Sequence, residues 1–146
     1  MNSVSRAMMR TAGKLAVTLY RRSGGKIGGK ALGGAPVLLL TVAGRRTGQP
    51  HTTAVSYFDH LGGYVVVGSA GGTPDDPQWF RNLRKATRAV VEVGRAGRQT
   101  VDVRVLTGAE RDTVWQDVVL ARVPAFAKYE TKSGRAMPLA LLTPVT

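Results

Sequence analysis

The stretch GRRTGQPHT, residues 44–52, combines side chains that bind anions. Arg45 and Arg46 follow a glycine, and arginine binds phosphate or carboxylate groups through planar, bidentate contacts. Thr47 adds a hydroxyl donor, and the two glycines of the stretch allow backbone N–H groups to form an anion-binding nest. The runs VLLLTVA before it and TTAVSYF after it predict a loop between two strands. Two interpretations remain open for the stretch alone: an anion-binding loop and a solvated basic hairpin.

A second stretch, SAGGTPDDPQWF at residues 69–80, has the residue types that allow a flat ring to approach the backbone. Gly71 and Gly72 stand at the predicted exit of a strand, where the missing side chains leave room for a ligand. Trp79 falls in the first turn of a predicted helix that Asp76 caps and Pro77 begins, and it could form a wall of such a site. The alternative is an ordinary strand-to-helix loop with Trp79 in the core.

A third stretch, PAFAKYETKSGR at residues 124–135, offers Tyr129 as a hydrogen-bond or proton donor to a carbonyl and Phe126 as an apolar wall. The alternative is a plain loop after a helix. The sequence has no cysteine, no G-x-S-x-G motif and no GxxxxGK[ST] loop, and its two histidines and nine acids are scattered, so no metal site is expected. If the protein is an enzyme, we therefore expect the reactive atom to belong to a bound cofactor.

The charge of the chain points to an anionic partner. The net charge is +12 over 146 residues, and residues 1–58 carry nine Lys or Arg and no acid before Asp59. Such asymmetry favours a nucleic acid, a membrane surface or an acidic small molecule. Nucleic acid is the least favoured of the three, because aromatic residues make up only 6% of the chain and stacking platforms need them.

The N-terminal region is predicted to be a basic amphipathic helix with a glycine-rich linker. Residues 4–22 place apolar and basic side chains on opposite arcs, the apolar arc being Val4, Met8, Ala12, Leu15 and Leu19. The helix either packs on the domain or lies on an anionic membrane. SGGKIGGKALGG at residues 23–34 reads as a flexible linker. We therefore divide the chain into residues 1–34, helix and linker, and residues 35–146, a compact domain.

The rest of the chain has the pattern of a mainly β domain. Strands are predicted at 37–43, 52–58, 64–69, 89–94, 99–108 and 137–145, with helices beginning at 77 and spanning 110–123. This order with short connections predicts an antiparallel barrel with helices over its openings. Since no apolar run reaches the ~18 residues of a membrane span, the expected location is cytoplasmic, or peripheral on the inner face of the cell membrane.

Three ordered motifs, LLLTVAGRRTGQP, YVVVGSAGGTPDDPQWFRNL and PLALLTP, give the chain a resemblance to a known family over residues 36–144. They resemble the deazaflavin (F420)-dependent nitroreductase family of actinobacteria, of the F420H(2)-dependent quinone or ene reductase type. The resemblance implies a split β-barrel of the FMN-binding type. It also implies reduced coenzyme F420, a 5-deazaflavin with a phosphate and an oligoglutamate tail, as donor of a hydride to an activated alkene, a quinone or a nitro compound.

The resemblance also implies roles for individual residues. The phosphate end would be held by Arg45, Arg46, Thr47, Gly48 and Gln49, with Pro50 and His51 in the same loop. The ring would lie along Ser69, Ala70, Gly71 and Gly72, with Trp79 and Asn82 supporting its pocket. Tyr129 would act in catalysis and contact the substrate together with Phe126. The family commonly has Arg at position 51, Lys at 70 and Tyr at 126, and these departures bear on the acceptor more than on the coenzyme. FMN in the same barrel is the alternative cofactor, and the oligomeric state stays open, although split barrels are often dimers.

Overall fold

A six-stranded closed barrel forms the body of the molecule. The computed structural model describes residues 3–145, and of residues 3–12, 32 and 71 only the backbone. The strands are Val37–Ala43 (β1), Pro50–His60 (β2), Gly63–Val67 (β3), Arg88–Glu92 (β4), Arg98–Val105 (β5) and Leu139–Pro144 (β6). They pair antiparallel in the order β1-β2-β3-β6-β5-β4, and β1 closes the barrel by pairing with β4. The predicted antiparallel split barrel with flanking helices is confirmed.

Four α-helices surround this barrel. They are Ser3–Ser23 (α1), Gln78–Lys85 (α2), Gly108–Val114 (α3), which continues as a π-helical segment Trp115–Leu120, and Ala127–Ser133 (α4). Short 3-10 turns lie at Leu32–Gly34, Ala70–Gly72 and Pro124–Phe126. None of the helices within residues 3–145 is both long and apolar enough to cross a bilayer.

The position of strand β1 between two packed layers explains why its sequence is apolar without interruption. Alternate side chains point to opposite faces of a strand, so a run that is apolar at every position needs cover on both faces. Leu38 and Leu40 face the barrel interior, together with Phe80 of α2. Val37 and Leu39 face the other way and pack under α1. A second core, on the outer face of β3 and β6, is covered by α3, its π-helical extension and the Pro124–Phe126 turn.

Helix α1 forms as predicted but packs through a different face. Val17 and Tyr20 are buried against β1, whereas Leu15 and Leu19 are 59% and 39% exposed. The Tyr20 hydroxyl donates to the Val37 carbonyl (2.9 Å) and accepts from the Gly94 N–H (2.7 Å), so this side chain carries polar as well as apolar contacts. The other members of the predicted apolar arc, Val4, Met8 and Ala12, lie outside the described side chains.

The glycine-rich segment after α1 is folded onto its neighbours rather than extended as a free linker. The N–H of Gly25 donates to the Tyr20 carbonyl, and the N–H of Val37 donates to the Gly29 carbonyl. At Gly29 a Cβ would collide with the carbonyl of Gly25, so only glycine permits this close approach. The glycines therefore serve a compact turn here as well as flexibility.

Two local predictions differ from the structure. Asp76 does not cap α2: the N-cap position is Pro77, without a side-chain cap, and the Asp76 carboxylate instead binds Arg84 and Arg135. Residues 124–135 are not a plain loop, because they contain α4, which ends at Gly134 with a left-handed φ of 71°. The difference at Asp76 comes from long-range ion pairs that local sequence patterns do not report.

Candidate functional site

A groove of about 1200 Å³ lies between α1 and the loop that joins β1 to β2. A smaller recess of about 320 Å³ adjoins it at the exit of β3. Thr53, Ala54 and Trp79 line both, so the two volumes adjoin at these residues. The first two of the three predicted motifs thus meet on the same surface, the basic loop at one end and the Ser69–Ala70 segment at the other.

The β1–β2 loop is a tight turn with its backbone largely satisfied. Gly44 N–H donates to the Gln49 carbonyl and Gly48 N–H donates to the Gly44 carbonyl, both at 2.8 Å. The Gln49 N–H donates to Thr47 Oγ1 (3.2 Å), and Gly48 has the left-handed φ of 74° that this turn requires. These three N–H groups are bonded within the protein, so the predicted backbone nest would have to use other N–H groups of the turn.

Asn82 of α2 holds the first arginine of the loop. Its Oδ1 accepts from the backbone N–H of Arg45 (3.1 Å) and from Arg45 Nη1 (2.8 Å), while Gln78 Oε1 accepts from Arg45 Nη2 (2.8 Å). Asn82 is only 7% exposed. The guanidinium is thus oriented by α2 before any ligand arrives, which lowers the entropic cost of binding one. Asn82 supports the loop rather than the ring pocket directly.

The groove is positively charged. Arg46 and His51 are exposed and line it from the loop, and Lys14 lines it from α1. Arg21 also lines it but is paired with Glu92 through two contacts, at 3.1 and 2.8 Å. No acidic residue is among the described residues that line the groove. Unpaired cations facing a groove attract anionic ligands and increase their rate of encounter.

The other end of the site has an unusual backbone. Ala70 lies at a φ of 46° and Gly72 at 79°, within the 3-10 turn Ala70–Gly72 that follows β3. Left-handed non-glycine residues are uncommon and concentrate at functional sites. Ser69 and Ala70 line the recess together with Trp79, which packs edge-on against Phe80. Gly71 belongs to the same turn, and only its backbone is described.

Tyr129 lies beside this turn, and Phe126 is in the core. A Cβ at Gly72 would come within 3.1 Å of Tyr129 Cδ1, so α4 packs closely against the turn. Tyr129 is half-buried and is not among the residues that line the groove or the recess. Phe126 is 1% exposed and packs edge-on against Phe58 and Tyr129. The structure therefore places Phe126 under Tyr129 rather than at a surface that a substrate can touch.

Several residues of the site escaped the sequence motifs. Lys14 and Thr18 belong to a helix whose packing face was not predictable from its apolar arc. Gln78 is adjacent to the Trp79 that the motif singles out, but nothing in its type signals a partner across the groove. Arg135 donates to the turn around Ser69, as described below, and its place in the stretch KSGR was the only available sign.

The residues of the groove fit the coenzyme that the motifs imply. An anion with a planar ring needs cations at one end and a flat, close approach at the other. Arg45 and Arg46 meet the first need, and the Ser69–Gly72 turn beside Trp79 meets the second. The described residues contain no group of His, Cys, Asp or Glu that could hold a metal ion.

Comparison with known proteins places the chain in a family. The family model described as F420H(2)-dependent quinone reductase matches residues 12–144. An F420H(2)-dependent quinone reductase of Mycobacterium tuberculosis is 32% identical over 127 residues, which cover 86% of this chain and 85% of that protein. A solved F420-H2 dependent reductase (FDR-A) is 28% identical with a TM-score of 0.64, covering 73% of this chain and 93% of that chain.

A further solved structure, described as a domain-swapped dimer, is 28% identical with a TM-score of 0.65 over 73% of this chain and 79% of its own. The more distant heme storage protein HutZ of Vibrio cholerae, at 14% identity and a TM-score of 0.53, shares the fold alone. The family match confirms two predictions made from the motifs, an F420-dependent oxidoreductase and reduced F420 as its reductant. The chain belongs to the F420H(2)-dependent quinone reductase family.

Proposed function

We propose that this protein transfers a hydride from reduced coenzyme F420 to a quinone, and that the groove between α1 and the β1–β2 loop is its coenzyme site. The observation that carries the proposal is that the cationic groove adjoins the recess beside Ser69 and Ala70, with Trp79 lining both. When bound, the coenzyme supplies the hydride from C5 of its deazaflavin ring. Activated alkenes and nitro compounds accept a hydride by the same chemistry and are further candidate acceptors.

The cationic end of the site would bind the coenzyme phosphate. Arg45, which Asn82 and Gln78 hold in place, offers a preset guanidinium, and Arg46 adds a second one that moves freely. Thr47 Oγ1 accepts from Gln49 and keeps its own proton for donation. Gly48, Gln49 and Pro50 would act through the shape of the turn, and His51 would contribute a donor at its mouth.

The recess would hold the ring. Backbone groups of Ser69, Ala70, Gly71 and Gly72 would line one side, with Trp79 as the opposing wall. A site that excludes water on both faces of a flat ring keeps the reducing group away from solvent.

Tyr129 is the candidate proton donor to the reduced acceptor, with water as the alternative. Its ring packs on the turn that contains Gly72, which forms the proposed ring end of the site. Replacing Tyr129 with Phe removes only the hydroxyl. If the phenol is the donor, kcat falls while the affinity for F420 stays constant; an unchanged kcat would assign the proton to water.

Side-by-side titrations test the cofactor. The protein is titrated with F420 and, separately, with FMN, and binding is followed by the fluorescence of each compound. We expect micromolar or tighter binding of F420 and much weaker binding of FMN. Tighter binding of FMN would refute the proposal. Turnover of bound, reduced F420 is then compared for a quinone, an enone and a nitroimidazole, and a quinone is expected to give the highest kcat/KM.

We also propose that α1 rests on an anionic membrane, where a lipid-soluble quinone would be found. Leu15, Leu19 and Ile27, the last at 54% exposure, leave apolar side chains exposed in a segment that also carries basic residues. Neither leucine lines the coenzyme groove. Replacing both with Gln should reduce co-sedimentation with phosphatidylglycerol vesicles and leave F420 affinity unchanged. The matched control is Leu61→Gln, at a leucine that is 72% exposed on the β2–β3 turn; equal sedimentation of the two variants would refute the membrane role.

We also propose that the protein forms a dimer. It is supported by one structural relative, which is described as a domain-swapped dimer. Light scattering at micromolar protein tests it, and a mass near the 15.5 kDa of one chain would refute it.

A further inference from the structure

Arg135 binds the backbone of the turn that forms the ring end of the site. It follows α4 in the chain, and its guanidinium donates to three carbonyls of the β3 exit: Gly68 (3.2 Å), Ser69 (3.1 Å) and Thr73 (3.0 Å). Its side chain is only 15% exposed. A planar guanidinium with five donors can satisfy several carbonyls at once, which an ammonium group cannot do in a fixed geometry.

The same guanidinium also joins the turn to α2. Arg135 Nη1 donates to Asp76 Oδ1 (2.9 Å), and the other oxygen of Asp76 pairs with Arg84 of α2 (2.7 Å). Arg84 in turn lies 4.9 Å over the ring of Phe80, which is fully buried in the barrel. The turn is thus tied through one carboxylate to a rigid part of the fold.

The backbone segment that carries Arg135 is itself held in place. Glu130 Oε2, on α4, accepts from the Met137 N–H (3.0 Å) and from Arg111 Nη2 (2.9 Å), and Arg111 also donates to the Met137 carbonyl. These contacts fasten both ends of the connection between α4 and β6, on which Arg135 lies. The guanidinium therefore binds the turn from a segment that is anchored to Glu130 and Arg111.

The turn needs such a support because its conformation is unfavourable. Ala70 has a φ of 46°, a region that a Cβ disfavours and that persists only where the surroundings impose it. The bonds of the turn to itself are few, a 2.8 Å bond from Gly72 N–H to the Ser69 carbonyl and a 3.4 Å bond from Thr73 N–H to the Ala70 carbonyl. The carbonyls bound by Arg135 bracket Ala70 on both sides.

We propose that Arg135 is a positioning residue for the reductase: it holds Ala70 in the left-handed conformation and so gives the recess beside Trp79 the shape that binds the coenzyme ring. The inference rests on the proposed coenzyme site, but its first test does not use the coenzyme. Arg135 itself lines neither the groove nor the recess, and it meets the recess only through the Ser69 carbonyl, so its effect passes through the turn.

The first experiment compares Arg135→Met with Arg104→Met by amide hydrogen exchange of the protein alone. Arg104 pairs with Glu110 on the surface and is 52% exposed, so the two variants remove the same charge. Exchange at Gly72 and Thr73 should rise at least roughly tenfold in Arg135→Met only, because loss of the clamp lets the turn open. Equal exchange in the two variants would overturn the proposal. Arg135→Lys, which keeps the charge and part of the bonding, should lie between them and serves if Arg135→Met does not fold.

The second experiment asks whether the backbone strain is the link to the coenzyme. F420 binding should weaken roughly tenfold in Arg135→Met, and kcat for quinone reduction should fall further, while Arg104→Met binds as the native protein does. Adding Ala70→Gly to Arg135→Met should recover roughly five- to tenfold of the binding, because glycine adopts the left-handed conformation at no steric cost. Ala70→Gly alone supplies the reference affinity against which this recovery is measured.

The outcomes separate the two proposals. If the native protein does not bind F420, the proposed function fails, and the exchange data still decide on the clamp. If the native protein binds F420 but Ala70→Gly gives no recovery in the Arg135→Met background, Arg135 has a general structural role and the positioning proposal is wrong.

Discussion

Asn82 gives the sharpest test of how the anion-binding loop is built. It is a buried polar residue on α2, and its Oδ1 accepts from both the backbone and the guanidinium of Arg45. Two substitutions separate its structural role from its electrostatic one. Asn82→Leu removes the acceptor, whereas Asn82→Asp keeps an acceptor oxygen in the same place and adds a negative charge.

The loss of stability in Asn82→Leu follows from the two bonds. A hydrogen bond between neutral groups contributes about 1 kcal/mol, and one to a charged group contributes about 1.5–3 kcal/mol. Because the Arg45 side chain is only half-buried and can turn to water, we take the lower end for it and expect a loss of about 2–3 kcal/mol in the free energy of unfolding. For a chain of this length the melting temperature would fall by roughly 5–10 °C.

Asn82→Asp should largely keep the stability of the protein and weaken its binding of F420. The new carboxylate pairs with Arg45, and this pairing offsets the cost of burying the charge, so the free energy of unfolding should fall by less than it does in Asn82→Leu. The same pairing cancels a positive charge at the proposed phosphate site. Two unit charges about 4 Å apart interact by about 1 kcal/mol in water and about 4 kcal/mol in a partly shielded site, so F420 affinity should fall by fivefold or more.

Thermal unfolding and F420 titration at low and high salt measure the two effects. Added salt should reduce F420 affinity in the native protein and have less effect in Asn82→Asp, because less charge remains to screen. Native-like F420 affinity in Asn82→Asp would refute the anion-binding role of the loop. Native stability in Asn82→Leu would refute the anchoring of Arg45 by α2.

Four further substitutions test neighbouring parts of the structure. Arg46→Gln should weaken F420 binding roughly tenfold without altering the melting temperature, because the side chain is exposed; a change in stability alone would contradict this. Tyr20→Phe should cost about 1–3 kcal/mol in urea unfolding, because the Gly94 N–H loses its partner at 2.7 Å; an unchanged midpoint would show that water replaces the hydroxyl. Trp79→Ala should reduce F420 affinity more than it reduces stability. Phe80→Ala, at a fully buried residue, should lower the free energy of unfolding by about 3–5 kcal/mol. Equal losses of stability in the two variants would place Trp79 in the core.

The strands were predictable because their periodicity is a local property. β1 was predicted with its observed bounds, because an apolar run bordered by Pro36 and Gly44 has few other structures open to it. β2 proved longer than predicted, since its first residues, Pro50 and His51, gain their pairing from β1 rather than from apolar side chains. The barrel followed from the order and short connections of the strands.

The helix caps and packing faces were less predictable because they depend on distant partners. Asp76 has the residue type and position of an N-cap, yet Arg84 and Arg135 compete successfully for its carboxylate. Leu15 and Leu19 have the spacing of a buried arc, yet Tyr20 reaches the barrel and leaves them exposed. In each case a long-range contact outweighs the local preference.

The candidate site divides in the same way. Arg45, Arg46 and Trp79 are visible in the sequence, because residue type and spacing carry the chemistry of binding an anion and a flat ring. That Asn82 orients Arg45, that α1 forms the far wall, and that Arg135 supports Ala70 depend on residues between 37 and 66 positions apart, or on which face of a helix meets the barrel. The chemistry of each segment follows from the types of neighbouring residues. The distances between the segments and the backbone strain at Ala70 arise only when the barrel closes and brings these segments together.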